Sequence, residues 1–342
     1  MSANLTSQQW RLKERPDGLL TKANFDWVEN TLPDLNEGDV LVRTLYLSLD
    51  PTNRIWTSDI DQYMPPVELG EVMRGGTLGV VEASRNEAFP VGTKVQGFWG
   101  WQSHEVLPGA FGLTPLPDLG GAVPLTAFLS VIGLTGLTAY FGLLDCGNPK
   151  EGETVVVSAA AGAVGSIVGQ IAKIKGCHVV GIAGSDDKCK WITDELGFDA
   201  AINYKTEDVG AQLDATCPNG IDVYFENVGG TITEAVIDRL NNFSRIAMCG
   251  LISSYNDEGA SAAPSNYAQF LMRRVTLKGF ILTDYLDRFE EGAAQLGQWI
   301  MEGKLKWAVD VVPGLENAPD ALAKLFDGSN TGKLIIQVSD EN

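Results

Sequence analysis

Apolar positions along the chain change their period between regions. From Thr154 to roughly Leu305, short β-branched runs alternate with helix-length amphipathic segments. The runs are "TVVVS", "HVVGIAG", "AAINY", "IDVYFENVG", "SRIAMCG" and "VTLKGFIL", and each intervening segment supplies a crossover. Strands alternating with helices predict a parallel, doubly wound α/β sheet. Before about Leu125 the pattern differs. "DVLVRTLYLSL", "TLGVVEAS" and "TKVQGFW" read as short strands between proline and glycine turns, which predicts a β-rich, barrel-like unit. The C-terminal "WAVDVVPGLENAPDALAKLFDGSNTGKLIIQV" reads as strand, helix, strand, with the last strand rejoining the first unit. The expected organisation is one domain of residues 1–125 and 306–342, a second of residues 126–305 inserted within it, and a pocket between them.

Charge narrows the function classes. A formal net charge of −19 over 342 residues gives a surface that repels phosphate backbones and anionic lipid. A basic pocket for one anionic cofactor has to be local. No run approaches the roughly 18 apolar residues of a membrane span, and "MSANLTSQQWRLKERPDGLL" lacks the apolar core of a leader, so a cytoplasmic protein is expected. The five cysteines are odd in number and lack a Cys-x-x-Cys pair, which argues against a disulfide framework and a structural zinc site.

The stretch "SAAAGAVGS", between "TVVVS" and an amphipathic segment, has the layout of a dinucleotide-binding turn. In such turns the first glycine permits a tight bend, the second admits the pyrophosphate, and the third lets helix and strand pack closely. Gly162 and Gly165 occupy the second and third places, and Ala160 stands in the first. The turn survives this replacement if Ala160 keeps a negative φ. Phosphates then lie at the N-terminus of a helix expected to begin near Ala163 and to pack through Val164, Ile167, Val168, Ile171 and Ala172.

The second strand of the inserted domain ends "GIAGS", with no acid before Asp186 to accept from ribose hydroxyls. Gly184 and Ser185 leave room, and Lys188 supplies a cation for a 2′-phosphate. This favours NADPH as cofactor, with Asp186 and Asp187 expected to point outward; the alternative for Lys188 is a solvated first-turn lysine.

Taken with these features, "EVMRGGTLGVV", "GLTGLTAYFGLLD", "SAAAGAVGSIVGQIAK", "GSDDKCKWI", "YFENVGG", "CGLISSYN" and "GSNTGK" resemble the zinc-independent medium-chain dehydrogenase/reductases. The resemblance covers nearly the whole chain and is closest to the branch of leukotriene hydroxydehydrogenases, prostaglandin reductases, plant double-bond reductases and bacterial curcumin reductases. It implies a GroES-like catalytic domain around an inserted Rossmann domain, a homodimer, and NADPH-dependent reduction of the carbon-carbon double bond of an α,β-unsaturated ketone or aldehyde. It also implies cofactor contacts at Gly162, Ala163, Val164 and Gly165, at Lys188 and Tyr204 for the 2′-phosphate end, and at Asn227. Further cofactor positions implied are Cys249, Gly250, Leu251, Ile252, Ser253, Ser254 and Tyr255, then Phe280, Ile281 and Leu282, and finally Asn330.

The chain has two histidines, His104 and His178, and neither stands in a metal-ligand pattern. Without a metal, the substrate carbonyl has to be polarised by hydrogen bonds while hydride reaches the β-carbon. Tyrosine suits that role because it is neutral at pH 7. Tyr63 in "DQYMPPVELGEVMRGG" matches a substrate-pocket tyrosine of some relatives and is the first candidate; Tyr255 is the second. A ribose hydroxyl or water is the alternative proton source. Two positions depart from many relatives: Thr52 replaces an aromatic after Asp-Pro, and Met272 replaces a tyrosine eight residues before Phe280. Met272, Trp56 and Phe280 are read either as an apolar enone pocket or as core. A quinone reductase and a catalytically silent NADPH-binding sensor remain alternatives.

Overall fold

The computed structural model describes residues 5–118, 120–257 and 263–341. The chain divides into two compact units, one of Met1–Leu129, Val309–Ser329 and Leu334–Asn342, the other of Ser130–Ala308 and Asn330–Lys333. The exchange points fall three or four residues later than the pattern suggested. Leu129 packs with Leu45, Tyr46, Leu78 and Ile335 of the first unit, which carries that boundary past 125. The return of residues 330–333 to the second unit was not foreseen; it follows from Gly332 N–H donating to Ala161 O (3.0 Å) and Lys333 N–H to Ala308 O (2.9 Å).

The first unit opens with an antiparallel pair, β1 (Thr6–Leu12) and β2 (Phe25–Thr31). Its larger sheet contains β3 (Val40–Ser48), β4 (Thr77–Ser84), β5 (Lys94–Gly97), β6 (His104–Leu107) and β7 (Thr114–Pro115). From the far end of the chain it takes β14 (Val309–Pro313) and β15 (Lys333–Gln337), and β15 pairs antiparallel with β3. The C-terminal strand thus rejoins the first unit, as its apolar run predicts. The order is β14-β15-β3-β4-β5-β7, with β6 also paired to β3.

The second unit is a six-stranded parallel sheet. Its strands are β8 (Thr154–Val157), β9 (His178–Ala183), β10 (Ala200–Asn203), β11 (Ile221–Glu226), β12 (Leu240–Met248) and β13 (Thr276–Gly279). All six predicted runs are strands. Their order, β10-β9-β8-β11-β12-β13, is that of a dinucleotide-binding sheet, with the reversal between β8 and β11. All four residues of β8 are buried, as suits a central strand covered on both faces. Val156, Val180, Ile182, Ile202, Tyr224 and Ile246 belong to one core cluster on that sheet. At the opposite extreme, all four residues of the edge strand β13 are exposed.

Candidate cofactor and active site

After β8 the chain turns through Ser158 to Val164 into the helix Gly165–Ile174. The left-handed residue in this turn is Ala159 (φ 48°), and Ala160 keeps an ordinary backbone. The methyl group of Ala160 lies against β9 where Gly181 leaves room, since a Cβ built on Gly181 would fall 2.8 Å from it. A glycine on the neighbouring strand therefore accommodates the alanine that replaces the first glycine. Gly165 has no such room: its Cβ would lie 2.4 Å from Ala159 O and 2.9 Å from Ala160 Cα. Gly162 differs again, because its Cβ would meet only Ala159 O, at 3.1 Å. That neighbour is backbone and the contact is tighter than most Cβ contacts, so an alanine there asks the turn to give slightly, far less than at Gly165.

The helix begins two residues later than expected, with Val164 as its N-cap and no side chain capping it. The N–H groups of Val164 and Gly165 find no protein acceptor among the described residues. Two free donors and the positive end of a ten-residue helix suit a pyrophosphate. Asn330, buried, donates through Nδ2 to Gly332 O (3.0 Å), and Gly332 in turn is bonded to Ala161. Asn330 thus holds its segment against the glycine turn.

At the end of β9, Ser185 Oγ caps the helix Asp186–Asp194 by accepting from Lys188 N–H (3.3 Å). The ring of Tyr204, at the end of β10, covers Gly184: a Cβ there would lie 3.0 Å from Tyr204 Cε1 and 3.2 Å from its hydroxyl. Gly184, Ser185, Lys188 and Tyr204 are therefore neighbours. Asp186 and Asp187 are exposed. Asp186 does not simply point outward, however; its Oδ1 accepts from Asn203 Nδ2 (2.6 Å), which ties it to the end of β10.

Across the sheet reversal, Asn227 N–H donates to Ser158 Oγ (2.8 Å) and Asn227 Nδ2 donates to Ser158 O (2.7 Å). Beside it lies Glu226, fully buried, which the sequence reading did not single out. The available signal was an acid ending the apolar run "VYFE" just before Asn-Val-Gly-Gly.

A cleft of about 460 Å³ opens at the carboxyl ends of β12 and β13. Among the predicted residues, Cys249, Gly250, Leu251, Ser254, Tyr255, Phe280 and Ile281 line it. Ile252, Ser253 and Leu282 do not. Ile252 N–H donates to Asn227 O (3.2 Å), and Ser253 donates to Val228 O through its N–H (3.0 Å) and Oγ (2.6 Å). These two residues pin the cleft loop to the Asn227 turn. Leu282 starts a separate short helix, Leu282–Arg288. Met248, Gly279 and Asp284 are further lining residues that the sequence reading passed over.

Tyr255 OH accepts from Leu251 N–H (3.1 Å), bracing the loop from inside. The buried ring of Phe280 lies so close to Gly142 that a Cβ there would come within 2.3 Å, which makes Phe280 both cleft wall and core. The protein packed around Cys249 pushes its thiol up to about 12, so it lines the cleft as a neutral group.

Tyr63 belongs to the first unit. Its hydroxyl accepts from Trp56 Nε1 (2.8 Å). The protein around the hydroxyl raises the Tyr63 pKa, against the opposing pull of the hydrogen bond from Trp56. The loop carrying Tyr63 is closed at its base, where Val67 N–H donates to Trp56 O (2.8 Å) and Arg15 Nη1 donates to Thr57 O (3.1 Å) and Val67 O (2.5 Å). Trp56 is buried in the core of that unit. Met272 is 61% exposed, which corrects its reading as core.

Among the described residues no group of three or more His, Cys, Asp or Glu side chains is arranged to hold a metal, and no helix is long and apolar enough to cross a membrane.

Comparison with known proteins adds two family matches, "N-terminal domain of oxidoreductase" over residues 8–114 and "Zinc-binding dehydrogenase" over residues 163–299. The chain is 43% identical over 342 residues to the NADPH-dependent curcumin reductase of Escherichia coli (strain K12), covering 98% of each. It is 42% identical over 334 residues to prostaglandin reductase 1 of Mus musculus, covering 97% of this chain and 99% of that protein. The crystal structure of CurA in complex with NADPH from Vibrio vulnificus matches with a TM-score of 0.92 and 45% identity, covering 97% of this chain and 99% of the other.

Proposed function

This chain belongs to the medium-chain dehydrogenase/reductases, in the branch of the prostaglandin and curcumin reductases, and on that premise we propose that it reduces the carbon-carbon double bond of α,β-unsaturated ketones or aldehydes with NADPH. The observation that carries this reading is the glycine turn. It sits at the sheet reversal, presents the Val164 and Gly165 N–H groups, and is followed by a β9 that ends without an acid.

In this reading Gly162, Ala163, Val164 and Gly165 receive the pyrophosphate, and Lys188 and Tyr204 receive the 2′-phosphate. Asn227, Asn330, the Cys249–Tyr255 loop and Phe280 to Leu282 shape the remainder of the cofactor site. NADPH, when bound, supplies hydride for the β-carbon. Tyr63 donates a hydrogen bond to the substrate carbonyl oxygen, a role supported by its raised pKa and by Trp56, which donates to the Tyr63 oxygen and leaves the phenol proton available. Tyr255 is the second candidate donor. The exposed β13, with Leu277 41% exposed on it, offers unpaired backbone groups to a second copy and supports a homodimer, which light scattering would test.

The decisive assay follows nicotinamide absorbance with an open-chain enone, NADPH and NADH in parallel, and identifies the product by mass and NMR. The expected result is NADPH-selective consumption yielding the saturated ketone. Reduction of a simple quinone but of no enone would replace this reading with a quinone reductase. NADPH binding without turnover of either would indicate a sensor.

A further inference from the structure

Glu226 is a buried carboxylate at the point where the sheet order reverses, and no cation pairs with it among the described residues. Its environment consists of donors. Oε1 accepts from Tyr224 OH (2.9 Å), Ser158 Oγ (3.0 Å), Val228 N–H (2.7 Å) and Gly229 N–H (3.0 Å), and Oε2 accepts from Thr233 Oγ1. Placing a carboxylate inside a protein is costly unless hydrogen bonds replace its water, and five donors do that here.

The donors are not scattered. Val228 and Gly229 form the turn that follows Asn227, and Gly229 has φ 84°, a conformation that directs its N–H back toward the strand end and that side chains rarely adopt. Ser158 is the first residue of the glycine turn, and its Oγ also accepts from Asn227 N–H while its carbonyl accepts from Asn227 Nδ2. Thr233 stands in the following helix, Gly230–Ile237. The same turn carries the cleft loop, through Ile252 on Asn227 O and Ser253 on Val228 O. One carboxylate thus gathers the ends of β8 and β11 and the backbone that bears the cleft.

We infer that Glu226 is a positioning residue for the cofactor: it fixes Ser158 and the Asn227-Val228-Gly229 turn so that both halves of the dinucleotide cradle keep their spacing. The inference rests on the NADPH reading above. It requires a negative acceptor rather than mere bulk, because an amide at Glu226 would aim an N–H₂ at groups that are themselves donors.

The test measures NADPH dissociation constants by nicotinamide fluorescence, at a temperature where circular dichroism reports each variant folded. Glu226→Gln should weaken NADPH binding by about tenfold or more, the loss expected from removing charge-assisted hydrogen bonds. Ser158→Ala should weaken it by a smaller factor, and the double variant should fall short of the product of the two, since they act through one network. Tyr224→Phe removes a donor from the same oxygen but holds no part of the turn, and should leave NADPH affinity within about twofold. If Glu226→Gln fails to fold, Ser158→Ala against Tyr224→Phe carries the same comparison. Equal NADPH affinity in wild type and Glu226→Gln, or equal weakening by Glu226→Gln and Tyr224→Phe, overturns the inference. Failure of the wild type itself to bind NADPH overturns the cofactor reading instead.

Discussion

The cofactor cradle and the Tyr63 loop present their chemistry through different parts of the chain. In the cradle the groups offered are backbone N–H donors at Val164 and Gly165, held by a turn in which Gly165 has no space for a side chain. In the loop the group offered is one phenol, held by Trp56 Nε1 and a base closed by Arg15. A backbone site is specified by where side chains are forbidden, and a side-chain site by which side chains happen to converge. The first kind of constraint leaves a spacing in the sequence; the second leaves single residues that only the fold brings together.

Gly165→Val is the most severe way to break the cradle. The new Cβ would press on Ala159 O and Ala160 Cα, both backbone, so the turn itself has to move. Overpacking of this kind costs about 1–3 kcal/mol of stability, and NADPH affinity should fall roughly 100-fold with the displaced donors. Gly162→Ala sharpens the comparison. Its Cβ meets one backbone oxygen at 3.1 Å, a milder contact than those at Gly165, so the melting temperature should fall far less than in Gly165→Val while NADPH affinity drops about tenfold. Equal melting temperature with equal affinity would mean that nothing approaches the turn at that point.

Tyr63→Phe is the matching break in the loop. Removing one donor aimed at developing negative charge typically lowers kcat about 100-fold or more. Here the loss should appear in kcat with the NADPH dissociation constant unchanged, the reverse of the Gly162→Ala result. A variant with wild-type kcat would shift the role to Tyr255 or to a water.

These differences explain how much of the molecule the sequence revealed. The second unit was legible because β8 to β13 follow short apolar runs and because Gly165 and, less strictly, Gly162 stand where a Cβ would press on the backbone of the turn. Its less legible part is the compensation between Ala160 and Gly181, since a glycine in one strand and an alanine in another are related only once β8 and β9 pair. Glu226 escaped notice for a similar reason: four of its five donors follow or accompany it locally in the turn, strand and helix, but Ser158 is 68 residues away. In the first unit β1 was missed. Its inward positions include Ser7 and Gln9, which are buried because Ser7 Oγ donates to His104 O (2.6 Å) and Gln9 Nε2 to Gln102 Oε1 (2.7 Å). Polar residues buried through long-range hydrogen bonds erase the alternation by which a strand is recognised.

Lys188→Ala probes the edge of the cradle, where a side chain joins the backbone donors. If Lys188 holds the 2′-phosphate as proposed, removing its cation should reduce the preference for NADPH over NADH about tenfold, with little effect on NADH itself. A loss shared equally by both cofactors would overturn a role for Lys188 at the 2′-phosphate, since the cap between its backbone N–H and Ser185 is kept in Lys188→Ala.

The smallest expected effect is one of pH, and it bears on the loop alone. The packing around Tyr63 raises its pKa above the ordinary tyrosine value of about 10, so the neutral, donating form persists to higher pH than in a free phenol. If that proton polarises the carbonyl, kcat measured at saturating NADPH should stay flat from neutral pH to about pH 9 and decline only beyond it, as the phenol ionises. Tyr63→Phe should remove this alkaline decline along with most of the activity. A decline of wild-type kcat centred near neutrality would assign the proton to a group of lower pKa, and an identical alkaline limb in Tyr63→Phe would assign it to another donor, Tyr255 being the first to test.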